Sequence, residues 1–498
     1  MSKVLGYNLL LHQKDHVKRI VETLAKNKSM IDLSLMGRGK TYTTCYSSCV
    51  LKSIMIVVCP ASVESKWREM REKYSAPVWK VISYESLRGM NNKQPKHGLL
   101  KRNDKVSKSG NHSTSFCVSK SLSEITENRR VLFVFDEVQK TKNKSATAKA
   151  CISLVSHACN RKKSRVILLS GTPVDKKEQS INILRMMGLV TSNVLVRTDP
   201  DTGIVNWVGF SRLYKTCIEK DEDRTLRIKD DYNMNKIKDF PKFSYDLFVE
   251  VVLKHLSSKM PGDDISKNLD IRNRYFMCTD DEKIKLNQQI GKMSFFTNEY
   301  LNGSGETKLN IMSNIQKCLV QIENTKVSMI VRNARKVLTS STNTKVCIMV
   351  NFTSTLVQLK EKLQDYDPIV VNGQVPKDKR YDLLKPFQEN NDDMRLIIAN
   401  MDVLSTGIDL DDKDGKFPRY VFASPNYKTM VIQQMTYRFL RADTKSDTTI
   451  DFVYGDCNKE ESSILGCLSK KACVMRDCCL DGENAKVKYP DEFRKFIG

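Results

Sequence analysis

What this 498-residue chain lacks narrows the reading first. No apolar run approaches the roughly 18 residues that a membrane-spanning helix needs. The longest, around Ile54–Cys59, is the length of a strand. The segment Met1-Ser-Lys-Val-Leu-Gly-Tyr7 lacks the long apolar core of a secretory signal. An intracellular location with no membrane partner is therefore expected, and the 15 cysteines are expected as reduced thiols. Cys457, Cys467, Cys473, Cys478 and Cys479 crowd the C-terminal stretch without forming a pair of C-x-x-C knuckles, and the adjacent Cys478-Cys479 suits zinc poorly. Ordinary thiols are expected there. Negative charge is also scarce. Against 82 lysines and arginines stand 58 acids, a net charge of +24. That excess points to a polyanionic partner, nucleic acid before an anionic membrane, although a merely soluble basic protein has the same balance. No convincing internal repeat is present.

Hydrophobic residues make up 40% of the chain, enough for sizeable cores in two to four domains. The stretch that organises the rest is Val131-Leu-Phe-Val-Phe-Asp-Glu-Val-Gln139. Its five leading apolar residues do not alternate with polar ones, which predicts a central strand of a parallel sheet, covered on both faces. Ligands of such sheets sit beyond the carboxyl ends of the strands, where Asp136 and Glu137 would stand. Two carboxylates there call for something positive, and a magnesium–nucleotide complex fits. A strand followed by a solvated acidic turn is the plainer alternative.

Upstream, apolar positions at helical spacing predict a helix over 9–26 that carries Gln13. A short apolar strand over 30–36 then runs into Gly37-Arg38-Gly39-Lys40-Thr41 and a further helix. Glycines admit close approach of backbone amides to a phosphate, the helix N-terminus favours the anion, Lys40 reaches the terminal phosphates and Thr41 offers a hydroxyl to magnesium. The full phosphate-loop pattern wants a glycine where Ser34 stands, and a surface turn is the alternative. Strands are expected over 53–59 and 78–83, with a helix holding Trp67 and Arg68 between them. Residues 90–130 read as a long, basic, mobile insertion, able to touch nucleic acid or simply solvated. A strand over 166–169 ends in Ser170-Gly171-Thr172-Pro173, either an ordinary turn or a phosphate sensor, and a helix over 178–187 follows.

Residues 191–325 are mixed and charged, and are read as a linker with helical insertions, including a helix over 280–293 and a loop at Gly303-Ser-Gly305. Strands over 346–350, 369–371, 395–399 and 420–422 then alternate with helices over 356–363 and 378–388, which predicts a second parallel α/β domain. Ser405-Thr-Gly-Ile-Asp409 precedes a helix holding Gln434, Arg438 and Arg441. Three residues apart, the two arginines would share one helical face and could grip a phosphate, unless that face is merely solvated.

Taken in order, these motifs resemble the superfamily 2 helicase and translocase motors, and in detail the Swi/Snf-type branch. Met36-Gly-Arg-Gly-Lys-Thr41 is similar to that branch's Met-Gly-Leu-Gly-Lys-Thr. Val81-Ile-Ser-Tyr-Glu-Ser-Leu-Arg88 is similar to its third strand and turn. Asp136-Glu-Val-Gln-Lys-Thr-Lys-Asn143 with Ser145 resembles its Asp-Glu-x-x-x-x-Lys-Asn signature, and Leu168-Leu-Ser-Gly-Thr-Pro-Val174 its third motif. The resemblance covers residues 5–190 and 325–455. Two departures stand out. Leu440 replaces the histidine usual before the second arginine, and Leu404-Ser-Thr-Gly-Ile-Asp409 replaces Gly-Gly-Leu-Gly-Ile-Asn. The compact, lysine- and asparagine-rich motor also looks like the helicase-like ATPases of large cytoplasmic DNA viruses, which implies host cytoplasm or virion as its location and transcription machinery as a partner.

The resemblance implies an α/β fold of two RecA-like parallel-sheet lobes: an ATP-binding lobe over 1–190, helical insertions over 191–325, a C-terminal lobe over 326–456 and a cysteine-containing tail over 457–498. It implies ATP and magnesium, bound between the lobes. Met36, Gly37, Arg38, Gly39 and Lys40 would hold phosphate, and Gln13 the adenine. Thr41 and Asp136 would hold the metal, and Glu137 would activate water. Arg438 and Arg441 would serve as arginine fingers, with Gly407, Asp409 and Gln434 beside the nucleotide. Gln139, Ser170, Gly171 and Thr172 would couple phosphate state to movement. It further implies translocation on double-stranded DNA. An RNA helicase of the same superfamily, or a catalytically silent binding subunit of a transcription complex, are the other expectations.

Overall fold

Parallel strands need crossover connections, and the strand–helix alternation supplies them. The computed structural model describes residues 5–478 other than 7, 91–92, 107–111, 193–195, 204, 235, 262–268, 303–304, 377–378, 390–393, 405–408, 442–443, 458–469, 472 and 476. The chain divides into two compact units, Met1–Gly262 joined by residues 474–478, and Asp263–Cys473.

The first unit begins with α1 (Leu11–Lys26), β1 (Ser29–Asp32), α2 (Lys40–Val50), β2 (Ile54–Cys59), α3 (Glu64–Tyr74), β3 (Val78–Ser83) and α4 (Tyr84–Arg88). The expected strand over 30–36 is thus shorter. The Asp32 carboxylate accepts the Ser34 amide at 2.9 Å, which turns the chain out of the ladder. Residues 90–130 are not a long loop. They form a hairpin, β4 (Leu100–Val106) and β5 (His112–Val118), followed by α5 (Lys120–Asn128). Four spaced apolar residues, Leu99, Leu100, Phe116 and Leu122, enter the main core and hold the hairpin in place. Next come β6 (Val131–Asp136), α6 (Ala146–Cys159), β7 (Ser164–Leu169) and α7 (Ser180–Met186). The helix expected over 178–187 is α7 preceded by one tighter turn at Lys177–Gln179. A small antiparallel pair, β8 (Arg197–Thr198) and β9 (Val205–Asn206), leads to α8 (Ser211–Lys220), α9 (Glu222–Asp230), α10 (Phe240–Leu247), α11 (Leu253–Leu256) and β10 (Ser257–Ser258).

Six strands form one parallel sheet in the order β10-β1-β7-β6-β2-β3. β6 lies inside it, as its apolar run requires. Val131, Phe133 and Phe135 enter the core on one face, and Leu132 and Val134 enter the core on the other. Residues after 190 are therefore no simple linker. β10 extends this sheet, and Phe240 and Phe243 join its core, with Trp207 packed edge to face against them and against Tyr214.

The second unit opens with β11 (Leu269–Phe276), α12 (Asp280–Asn302), α13 (Gly305–Thr325) and α14 (Val327–Ser340). It continues through β12 (Lys345–Val350), α15 (Thr353–Lys362), β13 (Ile369–Val371), α16 (Lys379–Gln388), β14 (Leu396–Asn400), α17 (Met401–Leu404), β15 (Arg419–Ala423), α18 (Thr429–Thr436) and β16 (Thr448–Gly455). Its sheet is also parallel, in the order β11-β16-β15-β12-β14-β13. β11, expected within the insertion region, is an edge strand here, tied down by Arg272 donating to Asp451 at 2.7 Å. No helix among the described residues is long and apolar enough to cross a membrane.

Gly188 closes α7 in a left-handed conformation at φ 72°, which a side chain adopts only with strain. A Cβ there would stand 2.4 Å from the Cys159 sulfur. We expect Gly188→Ala to lower unfolding free energy by about 1–3 kcal/mol. Urea unfolding of the variant beside the parent checks this, and an unchanged midpoint would contradict the packing described for α6 and α7.

Candidate nucleotide site

The site of the first unit assembles at the carboxyl ends of β1, β7 and β6. Leu169 is in register with Asp32 on one side and Asp136 on the other, so the three strands end level. From β1 the chain enters the glycine loop. Gly37 and Gly39 take left-handed conformations at φ 79° and 87°, and Gly39 caps α2. A side chain at Gly39 would be strained at that φ, and its Cβ, 2.5 Å from the Gln13 amide nitrogen, would displace that side chain. Gln13, in the first turn of α1, donates from Nε2 to the Arg38 carbonyl at 3.2 Å and accepts the Leu10 amide at 3.1 Å. It is thus brought against the loop, although 25 residues separate it from Arg38. Lys40, at the start of α2, folds back to donate to the carbonyls of Ser34 at 2.7 Å and Leu35 at 3.1 Å. Thr41 is buried beside it and Met36 is half-buried.

Asp136 ends β6, buried among apolar side chains. Glu137 follows in a left-handed conformation, φ 53° and ψ 50°, which a non-glycine residue adopts only at a cost. That turn directs the chain into a short helical turn at Val138–Thr141 and places the two carboxylates on different paths. Gln139 donates to the Glu137 carboxylate. Two residues that sequence reasoning did not assign to the site hold Asp136. Trp67 of α3, fully buried, donates from Nε1 to Oδ2 at 2.9 Å, and Tyr84 of α4 donates to the Asp136 carbonyl at 2.9 Å. Burial, and then the neighbouring Glu137 charge, push the Asp136 carboxyl well above the ordinary carboxylate range. The Trp67 hydrogen bond and the Lys40 charge pull the other way and do not cancel the rise.

Asp32, one strand over from β7, takes the opposite course. Burial alone would raise it, but His16, 3.0 Å away, and the Ser34 amide hold it below the ordinary range. His16 reaches Ser258 through its other nitrogen at 3.0 Å, and Met260 donates its amide to Ser34 Oγ at 2.8 Å. The serine that replaces a glycine in the loop is therefore a hydrogen-bonding anchor as well as a small residue. The Ser-Gly-Thr-Pro segment abuts this loop. The Ser170 amide donates to the Asp32 carbonyl at 3.0 Å, the Thr172 amide donates to Ser170 Oγ at 3.1 Å, and a Cβ on Gly171 would meet Ser34 O and Leu35 Cα at 3.3 Å. Lys142 and Asn143, from the stretch after the acids, reach the chain that follows it. Lys142 pairs with Asp175 at 2.8 Å, and Gln179 donates to Asn143 at 3.1 Å. Ser145 caps α6 by accepting the Ala148 amide.

In the second unit, Asp409, Arg438 and Arg441 come together. Arg441 donates from Nε to Asp409 Oδ1 at 2.8 Å, and Arg438 lies 3.8 Å from the same oxygen. The expected shared helical face is wrong, however. α18 ends at Thr436, with Tyr437 as its cap, so both arginines lie on the irregular chain beyond it. What brings them together is the carboxylate and the pairing of the Leu410 amide with the Arg438 carbonyl at 2.8 Å. Burial works to raise Asp409, but the two guanidinium charges and the Arg441 hydrogen bond outweigh it and hold its carboxyl below the ordinary range. Gln434 is half-buried on α18. Gly407 lies outside the described residues. Leu440, where a histidine is usual, is buried in the apolar core.

Removing the Trp67 donor should raise the proton affinity of Asp136 further, because a hydrogen bond to the charged form favours it. We therefore expect Trp67→Phe to move the acid limb of any magnesium-dependent turnover toward neutral pH, by up to about one unit. Added magnesium should restore activity on that limb. A pH profile of the variant at two magnesium concentrations checks this, and superposable profiles would separate Trp67 from the acid's chemistry.

Comparison with known proteins adds to this geometry. Residues 326–442 match the family model described as "Helicase conserved C-terminal domain". The chain is 23% identical over 494 residues to the "Putative ATP-dependent RNA helicase L364" of Acanthamoeba polyphaga mimivirus, a match that spans 98% of this chain and 87% of that protein. Among solved structures it is similar to the Sulfolobus solfataricus SWI2/SNF2 ATPase core in complex with dsDNA, at 16% identity over 91% of this chain and 88% of the other, with a TM-score of 0.34. The same ATPase core domain without that description of DNA is matched at 16% identity over 91% and 86% of the chains, with a TM-score of 0.32. Residues 326–442, within the second unit, thus match a helicase C-terminal domain, and the chain along nearly its whole length is similar to a helicase-like viral protein.

Proposed function

We propose that this protein is an ATP-driven nucleic-acid motor that hydrolyses ATP at the first unit's strand ends. The observation that carries the reading is the convergence there of the glycine loop, the Asp136–Glu137 pair and the Ser170–Thr172 segment, on strands whose ends are level. Magnesium fits the donors present. A buried hydroxyl at Thr41 and a carboxylate at Asp136 are hard oxygen ligands, and magnesium takes few protein ligands when phosphate and water supply the rest. When bound, the ion neutralises charge on the terminal phosphates.

The protein's own residues do the remaining work. The amides of the Gly37–Gly39 loop and the α2 N-terminus receive phosphate oxygens. Lys40 exchanges the Ser34 and Leu35 carbonyls for phosphate oxygens, a swap of neutral partners for charged ones that favours binding. Glu137 orients the attacking water and accepts its proton. Gln139 holds the Glu137 carboxylate in place. Arg438 and Arg441 supply positive charge to the transferring phosphoryl group. Ser170 and Thr172, bonded to the β1 end and abutting the loop, relay its state to the segment held by Lys142 and Asn143.

Double-stranded DNA is the track we favour, from the Swi/Snf-type motif sequence together with the net charge of +24. The viral relative supports a viral setting, and the motif likeness to viral helicase-like ATPases favours a role in transcription there. That relative's description as an RNA helicase favours RNA as the second reading. Purified protein should hydrolyse ATP faster with duplex DNA than without it, and more so than with RNA. Glu137→Gln should cut turnover by at least about 100-fold while ATP binding persists. Equal rates with and without every nucleic acid tried would sink the motor reading.

A further inference from the structure

The β4–β5 hairpin belongs to no element of the mechanism above, yet its charges are sorted by face. Strand residues alternate sides, and the register pairs Lys101 with Cys117, Asn103 with Ser115 and Lys105 with Ser113. All six are exposed and none is acidic. The hairpin's one carboxylate, Asp104, points to the opposite side, where Arg102 at 2.8 Å and Thr114 at 2.7 Å engage it. Lys101 and Lys105 have no ion-pair partner among the described residues. One face is thus two lysines among neutral hydrogen-bonding groups, within a stretch, 90–130, that carries nine lysines and arginines against three acids.

The base of the hairpin is rigid. Arg102, buried, donates to the carbonyls of Arg88 at 3.1 Å and Gly89 at 3.2 Å, at the end of α4. Gln94 bonds the Arg102 backbone in both directions, and His97 lies 3.0 Å from the Leu87 carbonyl. At the other end of α4, Tyr84 donates to the Asp136 carbonyl. A single five-residue helix therefore joins the basic hairpin to the strand end that would hold the metal.

We propose that the Lys101–Lys105 face of this hairpin binds the phosphate backbone of duplex nucleic acid and that its anchorage on α4 ties that contact to the hydrolytic centre. The proposal rests on the nucleic-acid motor reading. Charge complementarity names the partner: phosphates at regular spacing suit two lysines on one strand face with serine and asparagine donors between them, whereas an acidic protein surface would offer no such repeat.

The test compares the parent with the double variant Lys101→Gln, Lys105→Gln. Binding to a fluorescein-labelled DNA duplex is followed by anisotropy across a salt series, and ATPase rate is read with and without the duplex. The basal rate should be unchanged. The duplex concentration for half-saturation should rise roughly three- to tenfold at low salt, and the slope of log affinity against log salt should fall by about two. Unchanged affinity and slope would overturn the proposal, as would a parent that binds no duplex. If the parent binds the duplex but its ATPase does not respond, the motor reading fails on its own, and the anisotropy still decides the hairpin.

Discussion

A carboxylate buried at the end of an apolar strand must be given partners, and the first unit is organised around that demand. Its sheet presents two such acids, Asp32 and Asp136, on either side of β7 and level with each other. Their surroundings send them in opposite directions. Asp32 receives a histidine and a backbone amide and is held below its ordinary range. Asp136 receives one indole donor, faces Glu137, and is held above. An acid fully satisfied from within is an anchor. An acid left short of positive charge is one that a cation stabilises on arrival. The same sheet thus holds two buried acids in opposite states through the partners each receives, and the glycine loop begins at one of them while its lysine's charge acts on both.

Most strands were legible because the physics that buries them is written as runs of apolar residues. Val131–Phe135 could belong nowhere but inside a sheet, and Ile369–Val371 is short yet uninterrupted. Elements failed where burial depends on few residues far apart. The hairpin over 100–118 shows only Leu100 and Phe116 as apolar anchors, too sparse for a periodicity argument. β11 alternates apolar and charged residues only over Leu269–Arg272 before Asn273 breaks the pattern, and its partner β16 lies nearly 180 positions away. The site residues divide likewise. Lys40, Asp136 and Glu137 sit in local patterns with a chemical reason for each spacing. Trp67, Tyr84 and His16 act across 69, 52 and 16 positions; nothing in their own neighbourhoods marks Trp67 or His16, and the Val81–Arg88 motif that holds Tyr84 does not show what its hydroxyl meets. An acid inside the run Met30-Ile-Asp-Leu33 was the one available signal for Asp32, since a charge there needs a partner.

The arginines of the second unit are brought together by a different device from the one their spacing suggested. A helical face would have fixed their spacing through the backbone. Instead the helix stops at Thr436 and a carboxylate gathers the two guanidinium groups. The manner of gathering matters. Asp409 takes the Nε and Nη2 edge of Arg441, while Nη1 is buried with no hydrogen-bond partner among the described residues. A planar guanidinium held along one edge presents its remaining nitrogen in a fixed direction, and the ordering entropy of a long side chain is already spent before any phosphate arrives. Asp409 therefore fixes the orientation of Arg441 while pairing with its charge. An aspartate where the Swi/Snf-type motif it resembles has asparagine strengthens that hold, because the acceptor is charged and its carboxyl stays ionised below the ordinary range.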